Sequence, residues 1–208
     1  AKGVDEDLFD KRIDLMNTFD ESFRRKFKND EVAAYSQFYD ETLKLMQSKD
    51  LETFDLSKEP DVQKKLQNYG SGRLGKGALL AKRLVSSGIR FVEVRGGGWD
   101  MHNNLWQAIP QRAGELDKAL SALIDDLKAE GMFEKTLIVL GTEFGRTPKI
   151  NANGGRDHFP RCFSTLFAGG GIQGGQVYGK SDKLGMSVEE NPVTAGQFNL
   201  SLIHISEP

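Results

Sequence analysis

The chain holds a single cysteine, Cys162, which excludes an internal disulfide framework and any zinc site assembled from several thiolates. One thiol is compatible with a reducing or an oxidising compartment. Long apolar runs are also missing, since no stretch approaches the roughly 20 residues a helix needs to cross a bilayer. Charge of one sign does not accumulate either. With 28 basic and 30 acidic side chains the net charge is -2, too even to mark a surface for nucleic acid or an anionic membrane. What remains is an ordinary globular composition, 38% hydrophobic and 28% charged, outside the range of disordered chains.

The termini set the frame. The chain opens at Ala1-Lys2-Gly3 without an initiator methionine or signal peptide, so an upstream segment carrying any export signal is expected. The last eight residues, Ser201-Leu202-Ile203-His204-Ile205-Ser206-Glu207-Pro208, resemble translated sequencing-adaptor read-through. They are set aside as a non-native tail, and His204 within it is given no role.

Between the ends, apolar residues organise by period. Leu8, Ile13, Leu15, Met16, Phe19, Phe23 and Phe27 recur mostly three and four apart and predict an amphipathic helix over about 5–28. Val32, Tyr35, Phe38, Tyr39, Leu43 and Met46 predict a second over 30–47, with Asp30 as its N-cap. The aromatic stripe is read as helix packing rather than a binding groove. Pro60 suits the first turn of a further short helix. Residues 1–69 are thus expected to form a helical segment packed on, or inserted in, the core.

After Tyr69-Gly70-Ser71-Gly72 the pattern changes. Leu74 to Val85 reads as a buried helix closed by Gly88 at its C-cap, and Ile89 to Val94 as a strand. A longer helix from about Leu105 to Glu130 ends at Gly131. Thr136 to Leu140 is a continuous apolar run, the pattern of a parallel strand covered on both faces. Phe163 to Ala168 is a last strand, running into Gly169-Gly170-Gly171. This alternation predicts an α/β domain over 70–200, a mainly parallel sheet flanked by helices. Its polar clusters would then sit at the C-terminal strand ends, where open α/β sheets bind ligands.

Three short segments hold most of the chemistry-bearing residues. In Gly98-Trp99-Asp100-Met101-His102, a carboxylate and an imidazole two residues apart in extended chain can share one cation; alternatively, Asp100 caps the following helix. In Gly141-Thr142-Glu143-Phe144-Gly145-Arg146-Thr147-Pro148, Glu143 could bind metal while Arg146 forks onto an anionic substrate group. The alternative is a Glu143–Arg146 ion pair that fixes a turn. In Gly154-Gly155-Arg156-Asp157-His158, Asp157 and His158 could be ligands, Asp157 could orient an imidazole that binds metal, or Asp157 could be purely structural. Two histidines and three acids make a nitrogen and oxygen set suited to zinc, manganese or iron. Cys162, followed by an apolar strand, reads as a buried small hydrophobe rather than a nucleophile.

The stretches Leu79-Leu80-Ala81-Lys82-Arg83-Leu84-Val85, Gly98-Trp99-Asp100-Met101-His102, Glu143-Phe144-Gly145-Arg146-Thr147-Pro148 and Gly155-Arg156-Asp157-His158-Phe159-Pro160 resemble the bacterial domain of unknown function 1501 family. So does Ala168-Gly169-Gly170-Gly171-Ile172-Gln173-Gly174-Gly175-Gln176-Val177-Tyr178-Gly179. That family is regarded as part of the alkaline-phosphatase-like superfamily, alongside sulfatases. The resemblance implies an alkaline-phosphatase-like fold and a metal-dependent hydrolase of phosphate or sulfate esters, small-molecule or polysaccharide. It implies a divalent cation, zinc first, with manganese, iron, calcium or magnesium as alternatives. It also suggests a periplasmic or secreted location. Asp100, His102, Glu143 and His158 would be metal ligands; Asp157 and Arg146 would support a ligand or contact the substrate, with Asp157 counted in the metal set and Arg146 as the catalytic residue.

Two departures qualify this. Many superfamily members have Asp-His or Asp-Asn where this chain has Glu143-Phe144, and the segment bearing their nucleophile and first metal aspartate has no counterpart here. The chain is therefore expected to hold at most half a metal centre and to be inactive alone. A non-catalytic ligand-binding protein is the rival expectation. A helical interaction module over Asp5–Gln47 on an inert domain is a third.

Overall fold

A computed structural model describes residues 5–27 and 30–199; the tail set aside above lies outside them. The chain divides into two compact units, Ala1–Glu52 and Thr53–Pro208.

The first unit contains α1 (Glu6–Lys26) and α2 (Asp30–Gln47). Asp5 caps α1 by accepting the Leu8 amide at 2.8 Å, satisfying one of the orphan donors of the first turn. The buried Ser36 of α2 donates its hydroxyl to the Asp20 carboxylate of α1 at 3.1 Å. Tyr35 and Phe38, read from sequence as packing residues, stay largely exposed, as does Phe19.

The second unit begins with helices. α3 (Val62–Tyr69), α4 (Arg73–Ser86) and α5 (Leu105–Ala129) bury Tyr69, Ala78, Leu79 and Ala119 between them. Small residues allow the close approach. A Cβ at Gly75 would lie 2.0 Å from the Gly70 carbonyl oxygen, so α4 can follow α3 this tightly only with glycine there. The helices end where the sequence says they should. Gly88 and Gly131 have positive φ, and the bonds Ile89 N to Leu84 O and Met132 N to Leu127 O close the terminal turns in the Schellman pattern.

A charged network ties the helices together. Glu59, only 7% exposed, accepts from Lys65 and from Arg83 at 2.5 Å each, and Lys82 pairs with Glu130. Burial, the largest influence on Glu59, pushes its carboxyl up, yet the hydrogen bonds from Lys65 and Arg83 outweigh it and the group sits low. The Tyr69 hydroxyl donates to Asp126 at 2.9 Å; burial and this bond both hold it in its neutral form.

The expected mainly parallel, alkaline-phosphatase-like sheet is not what forms. About half of the described residues are helical, and the described strands make three two-stranded antiparallel sheets. β1 (Leu137–Leu140) pairs with β4 (Leu166–Gly169), from Leu137 opposite Gly169 to Leu140 opposite Leu166. β2 (Gly145–Arg146) pairs with β3 (His158–Phe159), and β5 (Lys180–Ser181) with β6 (Val188–Glu190). The physical reason lies in the connection. A parallel neighbour needs a crossover that carries the chain back along the sheet, usually through a helix. The link from β1 to β4 carries only β2, β3 and loops, so β4 returns antiparallel. The apolar run at 137–140 would look the same in either case.

The strand expected at Ile89–Val94 is also absent. Its backbone joins no ladder among the described residues, and Phe91 is 82% exposed. Val94 packs against α4 at Gly77, where an added Cβ would come within 2.8 Å of Val94 Cγ1. Cys162 is a free, partly buried thiol.

Candidate metal centre

The site is built where three loops are zipped together by backbone hydrogen bonds. The loop 151–156 runs beside 101–105. Arg156 N donates to Met101 O, Asn104 N to Asn153 O, and Leu105 N to Gly154 O, all within 3.2 Å. An isolated bridge pairs Asn103 with Gly154. The last two of these bonds also occupy amides at the start of α5, which has no side-chain cap. Asp100 therefore does not cap this helix. Contact is tight at Gly155, where a Cβ would lie 2.1 Å from the His102 carbonyl carbon. On the other side the β2–β3 pair sets Arg146 opposite His158, and Thr147 N donates to Asp157 O at 2.9 Å. The guanidinium of Arg156 donates back to Arg146 O at 3.0 Å.

This zipper brings Asp100, His102 and His158 into one group. His158 Nε2 lies 2.9 Å from Asp100 Oδ1, His102 Nε2 lies 3.0 Å from the same oxygen, and the two Nε2 atoms are 3.1 Å apart. Three atoms able to offer lone pairs thus form a nearly equilateral triangle. Edges of about 3 Å match the spacing of neighbouring ligands around a six-coordinate cation with bonds of about 2.1 Å. The mixture of two imidazoles and one carboxylate suits a divalent transition metal. The residues fit such an ion.

Their surroundings fix the donor atoms. Asp157 Oδ1 accepts from His102 Nδ1 at 2.9 Å, which leaves the His102 Nε2 lone pair facing the triangle when the ring is neutral. Phe144 packs its ring on His158, centroids 4.4 Å apart. Arg146, largely buried, donates to Asp100 and, at 3.0 Å, to Arg156 O; its Nη1 stands 3.4 Å from His102 Nε2. Hydrogen bonds from Arg146 first, and then from His158, hold the Asp100 carboxyl far below the usual range. Asp157 is lowered first by His102 and then by Asn151. The cluster is open to solvent, with Asp100 68% exposed and the two imidazoles about half so.

Of the residues singled out in the sequence, Asp100, His102 and His158 share the triangle, Asp157 stands behind His102, and Arg146 flanks Asp100. Glu143 is exposed and outside the group, and Arg146 pairs with Asp100 instead of with it. The sequence reading missed Asn151, which hydrogen-bonds both Asp157 and the His102 backbone. The signal was present in Asn151-Ala152-Asn153-Gly154-Gly155, the kind of run in which an asparagine side chain caps its own turn.

A family model described as "Protein of unknown function (DUF1501)" matches residues 1–206. No curated protein matches the chain, and neither does any solved structure. No helix among the described residues is long and apolar enough to cross a membrane.

Proposed function

We propose that this chain, which belongs to the DUF1501 family, holds a divalent cation between Asp100, His102 and His158 and serves the hydrolysis of phosphate or sulfate esters. The observation that carries the reading is the triangle itself: Asp100 Oδ1 and the two Nε2 atoms lie 2.9–3.1 Å from one another. Three such acceptors repel one another at that distance unless protons or a cation lie between them.

The cation supplies Lewis acidity toward an oxygen of the ester's anionic group. The chain's own residues do the rest. Asp100, held ionised by Arg146, contributes the negative charge. Asp157 fixes the His102 ring so that Nε2 faces inward. Arg146, held by Asp100 and the Arg156 carbonyl, places a fixed positive charge beside the triangle for the ester's anionic group. Phe144 covers one face of His158 and limits that ring's rotation.

The test is elemental analysis of the purified chain after dialysis, followed by titration with zinc, manganese and magnesium and an assay on aryl phosphate and aryl sulfate esters. Near-stoichiometric metal is expected of the chain itself, and ester turnover once it is joined to a segment that supplies the nucleophile. A second reading, a non-catalytic binder of anionic ligands, draws support from the direct Arg146–Asp100 ion pair and from Glu143 standing apart. Metal uptake without turnover in the protein joined to its nucleophile segment would favour that binder. No uptake after reconstitution would overturn the metal centre.

A further inference from the structure

We infer that Asn151 is the positioning residue of this cluster, setting His102 and Asp157 in register for the cation; the inference rests on the metal reading above. Its side chain makes four hydrogen bonds. Nδ2 donates to the His102 carbonyl oxygen and to Asp157 Oδ1, each at 3.0 Å. Oδ1 accepts from Asn153 N at 3.0 Å and Gly155 N at 2.9 Å. These use both donors and both acceptor sites that a carboxamide has.

The two halves of the amide do different work. The acceptor half shapes the loop: with Asn151 N donating to Gly155 O at 2.8 Å and Gly154 N to Asn151 O at 3.1 Å, it closes the turn that delivers Asp157 and His158. The donor half crosses to the other segment and grips it at the backbone of His102. The same Nδ2 reaches the Asp157 oxygen that receives His102 Nδ1. A continuous relay therefore runs from Asn151 through Asp157 to His102, and ends at the Nε2 that faces Asp100 and His158. Asn151 touches neither Asp100 nor His158, so it acts on the cation only through other residues.

No other side chain reproduces this set. Aspartate keeps the turn-forming acceptors and has no donors. Serine has too few groups, and glutamine is one methylene too long for a turn closed two residues on. This separates a positioning role from a merely structural one. If Asn151 only shapes the loop, Asn151→Asp should behave like wild type, while Asn151→Ala should not. If it positions His102 and Asp157, both substitutions should fail. In Asn151→Asp an oxygen replaces the Nδ2 that now donates to the His102 carbonyl and Asp157 Oδ1, so two attractions become repulsions at the very groups the amide positions.

The experiment compares wild type, Asn151→Asp and Asn151→Ala, with folding checked by circular dichroism. One readout is the affinity for manganese or zinc alone by calorimetry. The second is the His102 ring in long-range proton–nitrogen NMR spectra without added metal, which reports the nitrogen carrying the proton. Asn151→Asp is expected to keep its fold, to bind cation about 10–100-fold more weakly, and to lose part of the Nδ1–H form of His102. Wild-type affinity or an unchanged His102 ring in Asn151→Asp would overturn the inference. If wild type itself takes up no cation the metal reading falls, and the His102 spectrum still decides whether Asn151 positions that ring.

Discussion

His102 Nε2 and His158 Nε2 face each other at 3.1 Å across a sequence separation of 56. Neither imidazole is brought there by a helix or a long strand. The first sits on the irregular segment before α5 and the second on the two-residue strand β3, so their meeting depends on the zipped loops.

Both rings are about half exposed and carry little of the packing. His102→Ala and His158→Ala should each lower cation affinity by more than about 100-fold, beyond the usual loss for an outer partner, while thermal stability changes little. Unchanged metal stoichiometry in both variants would remove these histidines from the centre.

Gly155→Ala should act on the same site without touching a ligand atom. Its methyl group would meet the His102 backbone at 2.1 Å, forcing the loops apart at a cost of about 1–3 kcal/mol. Urea denaturation should show this loss, and calorimetry should show weaker cation binding with it. Wild-type values in both would mean that the loops tolerate separation.

Arg146→Gln tests the anion-holding role. Its partner Asp100 is mostly exposed, so loss of that pair should leave the urea midpoint little changed. Binding of phosphate or sulfate, read by calorimetry, should weaken by about tenfold or more, because the guanidinium charge beside the site is lost. Equal affinity in variant and wild type would assign Arg146 to loop structure alone.

Away from the site, Glu59 makes the helical core acid-sensitive. Its folded-state carboxyl sits below the ordinary value, so its contribution is complete above about pH 4.3 and is lost as pH falls through the folded value. Glu59→Gln should lower stability near neutral pH, because Lys65 and Arg83 lose their shared carboxylate and keep only their weaker contacts to Asp126 and the Thr53 carbonyl. It should also flatten the acid limb of a stability-against-pH curve. An unchanged acid limb would place the acid sensitivity elsewhere.

Helices were the legible part of this fold, because their signals are local. The spacing of Leu8, Phe19 and Phe23 and the glycines at 88 and 131 needed no partner to be read, and α1, α4 and α5 lie close to the predicted spans. Sheet pairing is a long-range property. Leu137–Leu140 reads as a strand from composition alone, yet the helix-free return to Leu166 set its direction. Ile89–Val94 has strand-like residues and no neighbouring strand to complete its hydrogen bonds. In the site, side chains with obvious chemistry were legible: Asp100, His102, Arg146, Asp157 and His158 were singled out from their types and glycine neighbours. Asn151 was not, because an uncharged amide advertises nothing until the distances to His102 and Asp157 are known. Glu143 shows the converse, a suggestive carboxylate after an apolar strand that lies outside the cluster.

The carbonyls of Asn153 and Gly154 that receive the amides of Asn104 and Leu105 join the candidate centre to the first turn of α5, whose later residues line the helical core. Those two amides are therefore natural sentinels for hydrogen–deuterium exchange. A cation that stiffens the loop should slow their exchange, and the added protection should fade along α5 toward Ala129. Occupancy could then be followed from inside the protein, with no chromophore and no substrate.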